Sequence, residues 1–516
     1  MSRITTPTFV TEFPVIIDSH QERELLGRFQ AGRQLYNACL GEAMVRMNRL
    51  RNSEVYQQAK ALPKKITNAK GELVDNPVRK SAFAKAYEAF NYSDYSLQAY
   101  ATHIAKAAGW IARKLDVNTQ QTLATRAFKA SQRVLFGKAK QVRYKVTSRF
   151  HSLEGKTNKQ GIRWKEDQFI WGDLKIRAMI DYKNEVLMHG LASRIKYCRI
   201  LWRILNGKRR WYVQLVNEGL PYTLEDTTLP TGTIGIDLNV STVAIVADQH
   251  VELAPFCQLV NTKQTQIKQL QRQLDRSQRS TNPGNYEPDF QRKRGRKTVR
   301  KRGKVKRGAR NWLKSKRYRN AQRKLRELER KQAAYRRSEQ RRLVNRVLQH
   351  GNHIKLEQIS VKGWQKIWGK AIKAKAPGFF QSELIRKAES AGGSVKQFPT
   401  RTTKLSQTCI CGQQARKSLS QRVHRCECGV QMHRDLMSGF LSRYVNQGLL
   451  SCDQAKDGWM GLEPILQAAW QQYANQYPNR VGASESPQSG FPAEGIACQP
   501  ERYVQMELLG HTEAVV

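Results

Sequence analysis

Long apolar runs are missing from this chain of 516 residues. No stretch approaches the roughly 20 residues that cross a bilayer, and the opening MSRITTPTFVTEF lacks the apolar run of a signal peptide. A membrane partner is not expected, and the expected location is cytoplasmic. Acidic residues are scarce as well: 42 Asp and Glu stand against 90 Lys and Arg, a formal net charge of +48. Self-repulsion on that scale calls for a polyanionic partner, and no amphipathic membrane segment accompanies the charge. A disulfide framework is absent too. Cys39, Cys198, Cys257, Cys452 and Cys498 are scattered without pattern, which fits a reducing compartment. The chain has no glycine-rich phosphate loop, and His433-Arg434-Asp435 is not followed by the asparagine of HRDLxxxxN, so a protein kinase is excluded. With no heptad seam, the oligomeric state stays open.

What is present divides along the chain into two to four units, because single cores stop growing at roughly 250 residues. FVTEFPVII, residues 9 to 17, reads as a strand, and Pro14 places it at an edge or a bulge. From Gln21 to about Met47, Leu25, Phe29, Leu35, Tyr36, Leu40 and Met44 recur at helical spacing and form ordinary core. Residues 62 to 80 carry loop punctuation, and helix resumes to Gly137 with one packed and one basic face. Between about Gly161 and Val216 the period changes to two. YCRILWRIL and RRWYVQLV flank Asn206-Gly207, a tight-hairpin signal, and a small barrel or sheet is expected. A linker, PYTLEDTTLPTG, spans Pro221 to Gly232.

TIGIDLNVSTVAIV then begins a sheet, and residues 291 to 346 carry 26 Lys and Arg against three Glu. The portion QRKRGRKTVRKRGKVKRGAR has no apolar period and reads as a flexible loop awaiting a phosphate backbone. Asn311 to Gln349 reads as a helix with Leu325, Leu328, Tyr335, Leu343 and Val347 as its packed stripe.

Three acids stand in contexts that suit a metal site. Asp237 ends the apolar strand TIGI and is followed by the turn residues Asn239 and Ser241; Glu357 ends a second strand, IKL. Asp435 projects from the first turn of a helix with Leu436, Phe440, Leu441 and Tyr444 apolar. Taken singly, such an acid is more often a turn residue or helix cap. Converging, they would repel one another unless hard divalent cations held them, and two Mg²⁺ ions roughly 4 Å apart would activate water and stabilise the leaving oxygen of a phosphodiester. A metal-dependent nuclease is the leading reading.

Cys409-Ile-Cys411-Gly412 and Cys426-Glu-Cys428-Gly429 form two matching knuckles separated by 14 residues. Four thiolates satisfy tetrahedral Zn²⁺, and a full S₄ set leaves no open position, so this metal would be structural. The competing reading is redox-active or unpaired thiols. With four cysteines available, His424 and His433 are bystanders. Arg416, Lys417, Arg422 and Arg425 add charge around the knuckles.

The order GIDLNVSTVAIV, a Lys/Arg-rich helix, IKLEQISVKGW, and LSQTCICG with CECGVQMHRDLMSGF resembles TnpB, the transposon-encoded nuclease family related to type V CRISPR effectors. The resemblance covers about residues 231 to 445 and extends more faintly to GRFQAGRQLYNACL and WYVQL. It implies an α+β multidomain fold: a wedge β-barrel (1–20 and 150–226) with an inserted helical recognition lobe (21–149), and an RNase H-like RuvC nuclease domain (227–404 and 433–477) with an inserted zinc ribbon (405–432). Residues 478–516 look like a disordered tail. The implied activity is RNA-guided cleavage of double-stranded DNA, with guide RNA and target DNA as partners in a nucleoid-associated protein and base pairing as the source of specificity. Asp237, Glu357 and Asp435 would be the catalytic triad on Mg²⁺, and Cys409, Cys411, Cys426 and Cys428 the Zn²⁺ ligands. The alternatives are a guided binder without cleavage, acting as a repressor or transposition-targeting factor, and an unguided transposase or nuclease. Two departures stand out: knuckles with one intervening residue where two are common, and His433 where an Asp often precedes Arg-Asp.

Overall fold

Asn206 and Gly207 both adopt positive φ, 50° and 79°, and close strands Ile195–Leu205 and Lys208–Glu218 into a two-residue hairpin. That hairpin is the spine of the first of two units, 1–227 and 228–516. The computed structural model describes residues 6–69, 71–222, 229–295, 297–418 and 420–478. Half of the expected linker, 223–228, and the expected tail beyond residue 478 lie outside the described residues.

In the first unit, strand Thr8–Pro14 pairs antiparallel with Lys208–Glu218 and occupies the sheet edge, the position open to a strand that contains Pro14. Ser152–Glu154 forms the opposite edge. A three-stranded meander of Ile162–Lys165, Gln168–Trp171 and Leu174–Arg177 meets this sheet at one corner, where Ile16 N–H donates to Arg177 O and Met179 N–H to Pro14 O. The long helix Ser19–Asn52 starts on a reciprocal cap between Asp18 and Gln21. It shares one apolar core with the strands: the Phe29 ring lies edge-on to Trp211 at 5.3 Å, and Phe13 stacks on Trp164 at 5.5 Å. Residues 62–80, read as a loop, include a small hairpin, Lys65–Thr67 with Leu73–Asp75.

The second unit is built on a five-stranded sheet in the order Val251–Pro255, Thr242–Val246, Thr233–Leu238, His353–Glu357, Ser394–Phe398. The first three strands run antiparallel, and the last two run parallel to Thr233–Leu238. Alternation sorts the central strand between two cores. Ile234, Ile236 and Leu238 face the helices Lys316–Leu348 and Pro377–Ser390, packing with Val344, Val347, Phe380 and Leu384. Gly235 and Asp237 face the other way, toward the short helix Arg434–Ser442, which packs with Cys452–Gln476 through Phe440 and Trp459. Among the described residues no helix is long and apolar enough to cross a membrane.

Two local expectations change. Phe290–Arg294 and Lys297–Lys301 form an antiparallel hairpin, not a loop. Their cations are spread along a ribbon, so repulsion is relieved into solvent, and Arg302, just beyond it, is tied to Asp275. Of the stripe expected in the long basic helix, Leu343 and Val347 are buried, Leu325 and Leu328 are partly buried, and Tyr335 is 39% exposed under Lys263.

Candidate active site

Parallel pairing in register sets Ile236 beside Leu356, so the next residues along, Asp237 and Glu357, end adjacent strands at the same level. Both point to the face covered by the Arg434–Ser442 helix, as Lys355 shows by donating from Nζ to the carbonyl of Arg443. Asp435 sits in the first turn of that helix and is 1% exposed; Asp237 and Glu357 are half-buried at the rim. The glycines explain the close approach. A Cβ on Gly235 would come 2.0 Å from the carbonyl oxygen of Gly439, so only a bare backbone lets this helix lie on this strand.

Each carboxylate has its own surroundings. Asn239 Nδ2 donates to Asp237 Oδ2 at 2.8 Å, and Thr242 Oγ1 donates to Asp435 Oδ2 at 2.7 Å. Arg422 approaches Asp435 Oδ1 at 3.5 Å and Arg434 at 3.7 Å. Burial pushes the Asp237 carboxyl well above the usual carboxylate range, and the negative charges of Asp435 and Glu357 push it further, while Asn239 and Arg434 pull against them. Burial also takes Glu357 up to about 7, opposed by a hydrogen bond from Thr400. The arginines lie against Asp435, while Asp237 and Glu357 are raised by burial and, for Asp237, by the neighbouring acids. Hard cations fit the three acids chemically: three oxygen donors with no competing thiolate or imidazole suit Mg²⁺. They are more widely spread than the ligands of one ion, since among the described residues only the cysteine quartet gathers its ligand atoms within 4.8 Å of one another.

That quartet is Cys409, Cys411, Cys426 and Cys428. Cys409 Sγ stands 3.5 Å from Cys428 Sγ, and Cys411 Sγ 3.6 Å from Cys426 Sγ. A tetrahedral ion with zinc–sulfur bonds of about 2.3 Å sets its sulfurs about 3.8 Å apart, so the four fit Zn²⁺ despite the single intervening residue in each knuckle. The turns are matched: Gly412 N–H donates to Cys409 O and Gly429 N–H to Cys426 O, each at 3.0 Å, with φ of 88° and 90°. A backbone N–H from Cys428 brings the Cys426 thiol down to about 7, toward the thiolate that a metal needs.

The knuckles connect to the acids through a small ladder. Val423–Arg425 pairs with Gln431–His433, and the second strand runs directly into the Asp435 helix. His433, read as a bystander, holds this junction: its Nδ1 accepts from the Asp435 N–H at 3.2 Å and caps the helix. Its ring lies 6.1 Å from both Trp470 and Tyr473, and burial lowers its pKa, keeping it neutral and able to accept. His424 is buried beside Lys417 Nζ, and its pKa is lowered to about 4. Thr242 and His433 are the positioning residues that sequence reasoning missed. A threonine inside a strand and a histidine just before a helix give no local signal for these roles, and the Thr242 contact spans 193 positions.

Residues 378–439, which contain all four cysteines and Asp435, match the family model of the Cas12f1-like TNB domain. A comparison with curated proteins finds no match. Among solved structures, the chain is similar to a cryo-EM structure of the Cas12f1-sgRNA-target DNA complex, with 10% identity, a TM-score of 0.41, and coverage of 84% of this chain and 98% of that one. It is also similar to a cryo-EM structure of a CRISPR-Cas12f ternary complex, with 12% identity, a TM-score of 0.29, and coverage of 83% and 85%. The family match covers 62 of the 516 residues, and the likeness to the Cas12f1-like TNB domain is that of residues 378–439.

Proposed function

We propose that this protein is an RNA-guided DNA endonuclease in which Asp237, Glu357 and Asp435 hold two Mg²⁺ ions at an RNase H-like RuvC centre. The observation that carries the reading is the delivery of three acids to one face by two adjacent parallel strand ends and one helix start, where the charges of Asp435 and Glu357 raise the proton affinity of Asp237. Left without cations, such a cluster raises its own proton affinity; a divalent pair would neutralise it and supply a metal-bound water together with stabilisation of the leaving oxygen. The chain's own residues set the stage. Thr242 fixes one oxygen of Asp435, Asn239 orients Asp237, and Arg422 and Arg434 keep positive charge at the deep wall.

The TnpB resemblance and the TNB-domain match support guide RNA and double-stranded target DNA as partners, and the charge of +48 supplies the affinity for both. In this reading residues 1–20 and 150–226 form the wedge, 21–149 the recognition lobe, 227–404 and 433–477 the nuclease domain, and 405–432 a structural zinc ribbon. The protein works in the cytoplasm at the nucleoid.

The deciding experiment purifies the protein with its bound RNA, sequences that RNA, and presents duplex DNA complementary to it. Mg²⁺-dependent cutting that Asp237→Ala, Glu357→Gln and Asp435→Asn each abolish is the expected result. Unaltered cutting by Asp237→Ala would overturn the site, and binding without cutting by the unaltered protein would turn the reading to a guided repressor or targeting factor.

A further inference from the structure

The helical part of the first unit holds a cavity of about 670 Å³ that lies apart from every residue discussed above. Three segments wall it: helices Glu54–Ala61 and Pro77–Ala89, and the end of Val117–Leu135. Tyr56, Phe83, Tyr87 and Phe136 line it with aromatic surface. Phe83 stands edge-on to Tyr56 at 5.3 Å and tilts toward Tyr87 at 6.1 Å, which makes one continuous aromatic wall. Phe136 is 55% exposed, so its ring is open to a ligand at the cavity mouth. The rim is wholly cationic. Lys60, Lys64 and Lys80 are exposed, no Asp or Glu lines the cavity, and the Arg79 guanidinium lies over the Phe83 ring at 5.1 Å, held there by the carbonyl of Lys60.

Apolar ring faces inside and ammonium groups at the mouth are the two halves of a nucleotide: a flat base that stacks and a phosphate that is paired. The volume suits a single base with its sugar. A duplex cannot offer a base to such a cavity without unstacking it. We propose that this cavity takes one unstacked nucleotide from a single strand, with the base against Phe83 and under Phe136 and the flanking phosphates on Lys60, Lys64 and Lys80. This inference rests on the nucleic-acid-binding reading above but not on cleavage, and it gives the helical part of the first unit a single-strand grip.

The test uses the full chain, without Mg²⁺, and ten-nucleotide probes of rU and dT that each carry one 5-iodouracil, with a duplex of equal length beside them. Irradiation should crosslink the single strands to peptides containing Phe83 or Phe136. Phe136→Ala and Phe83→Ala should each weaken single-strand binding roughly five- to fifty-fold without changing its salt slope, whereas Lys60→Ala with Lys64→Ala should reduce that slope by about 1 to 2. Phe83→Tyr should retain binding. The RNA and DNA arms report which strand is held. Phe136→Ala keeps the test open if Phe83→Ala fails to fold, because Phe136 is largely exposed. Crosslinks found elsewhere and never at these peptides, equal capture of duplex, or wild-type affinity in a folded Phe136→Ala would overturn the proposal, as would a dimer that Phe136→Ala dissolves. Asp237→Ala should lose cutting and keep the crosslink, so failure of one reading is separable from failure of the other.

Discussion

Gly235 lies directly against the backbone of the Asp435 helix: a methyl group on Gly235 would stand 2.0 Å from the Gly439 carbonyl oxygen and 3.1 Å from the Arg443 amide nitrogen. Both obstacles are backbone, so neither can swing aside. Gly235→Ala should push the Asp435 helix off the strand, lowering stability by about 2 to 3 kcal/mol in denaturant unfolding and metal-dependent cutting by at least roughly tenfold. Gly461→Ala, where a methyl group meets nothing within 4 Å, is the control and should be neutral or slightly stabilising.

The acids predict how stability depends on pH in the absence of metal. Glu357 is raised to about 7 in the folded chain and Asp237 is raised as well, so the folded state binds more protons than the unfolded one. Their contribution is fully present below the unfolded carboxylate range and is lost as pH rises through about 7. In chelator, the melting temperature should therefore fall between about pH 4.5 and 7. Mg²⁺ should flatten that fall, and Asp237→Asn should reduce it. A melting temperature that rises over this window in chelator would contradict the coupling.

Zinc content should be one ion per chain. Cys426→Ser should lower it and depress the melting temperature, because binding free energy at a thiolate site is folding free energy. The same variant should lose DNA cutting even at temperatures where it stays folded, since the strand that ends at His433 links the knuckles to the Asp435 helix. Atomic absorption, thermal melts and cleavage assays on one preparation check all three.

Thr242→Val removes the hydroxyl that donates to Asp435 Oδ2 and should cost about 1 to 3 kcal/mol of stability, because it leaves a buried carboxylate oxygen short of a donor. The apparent Mg²⁺ affinity should change more than the melting temperature does. His433→Ala removes the cap of the same helix and should cost about 1 kcal/mol, with His433→Asn restoring part of it through a better capping side chain. Equal loss in the Ala and Asn variants would argue against the capping role.

The parts of this site that are local in sequence were readable from it. An apolar strand, an acid and a turn mark Asp237 and Glu357, and period-two alternation marks the strands that deliver them. The cysteine knuckles announce their own geometry through Gly412 and Gly429. What stayed hidden depends on contacts between distant segments. No pattern near Thr242 points to Asp435, and nothing in GID shows that its glycine lies against the backbone of a helix. The capping role of His433 has no local signal, because histidine is a poor guide to a helix start; the ring is held in place by packing near Trp470 and Tyr473. The basic hairpin at 290–301 has no signal of period two, because its cations run consecutively and few apolar residues alternate with them.

The hydrogen bond from Thr242 to Asp435 closes a loop of 193 positions in the chain. A ribosome making this protein finishes the first acid long before the third, with a lag of roughly 10 to 40 s at ordinary elongation rates. During that interval the growing polypeptide already carries its dense positive charge, while the acid cluster is still without its third member. Synthesis itself thus delivers the basic segment first and completes the cluster last.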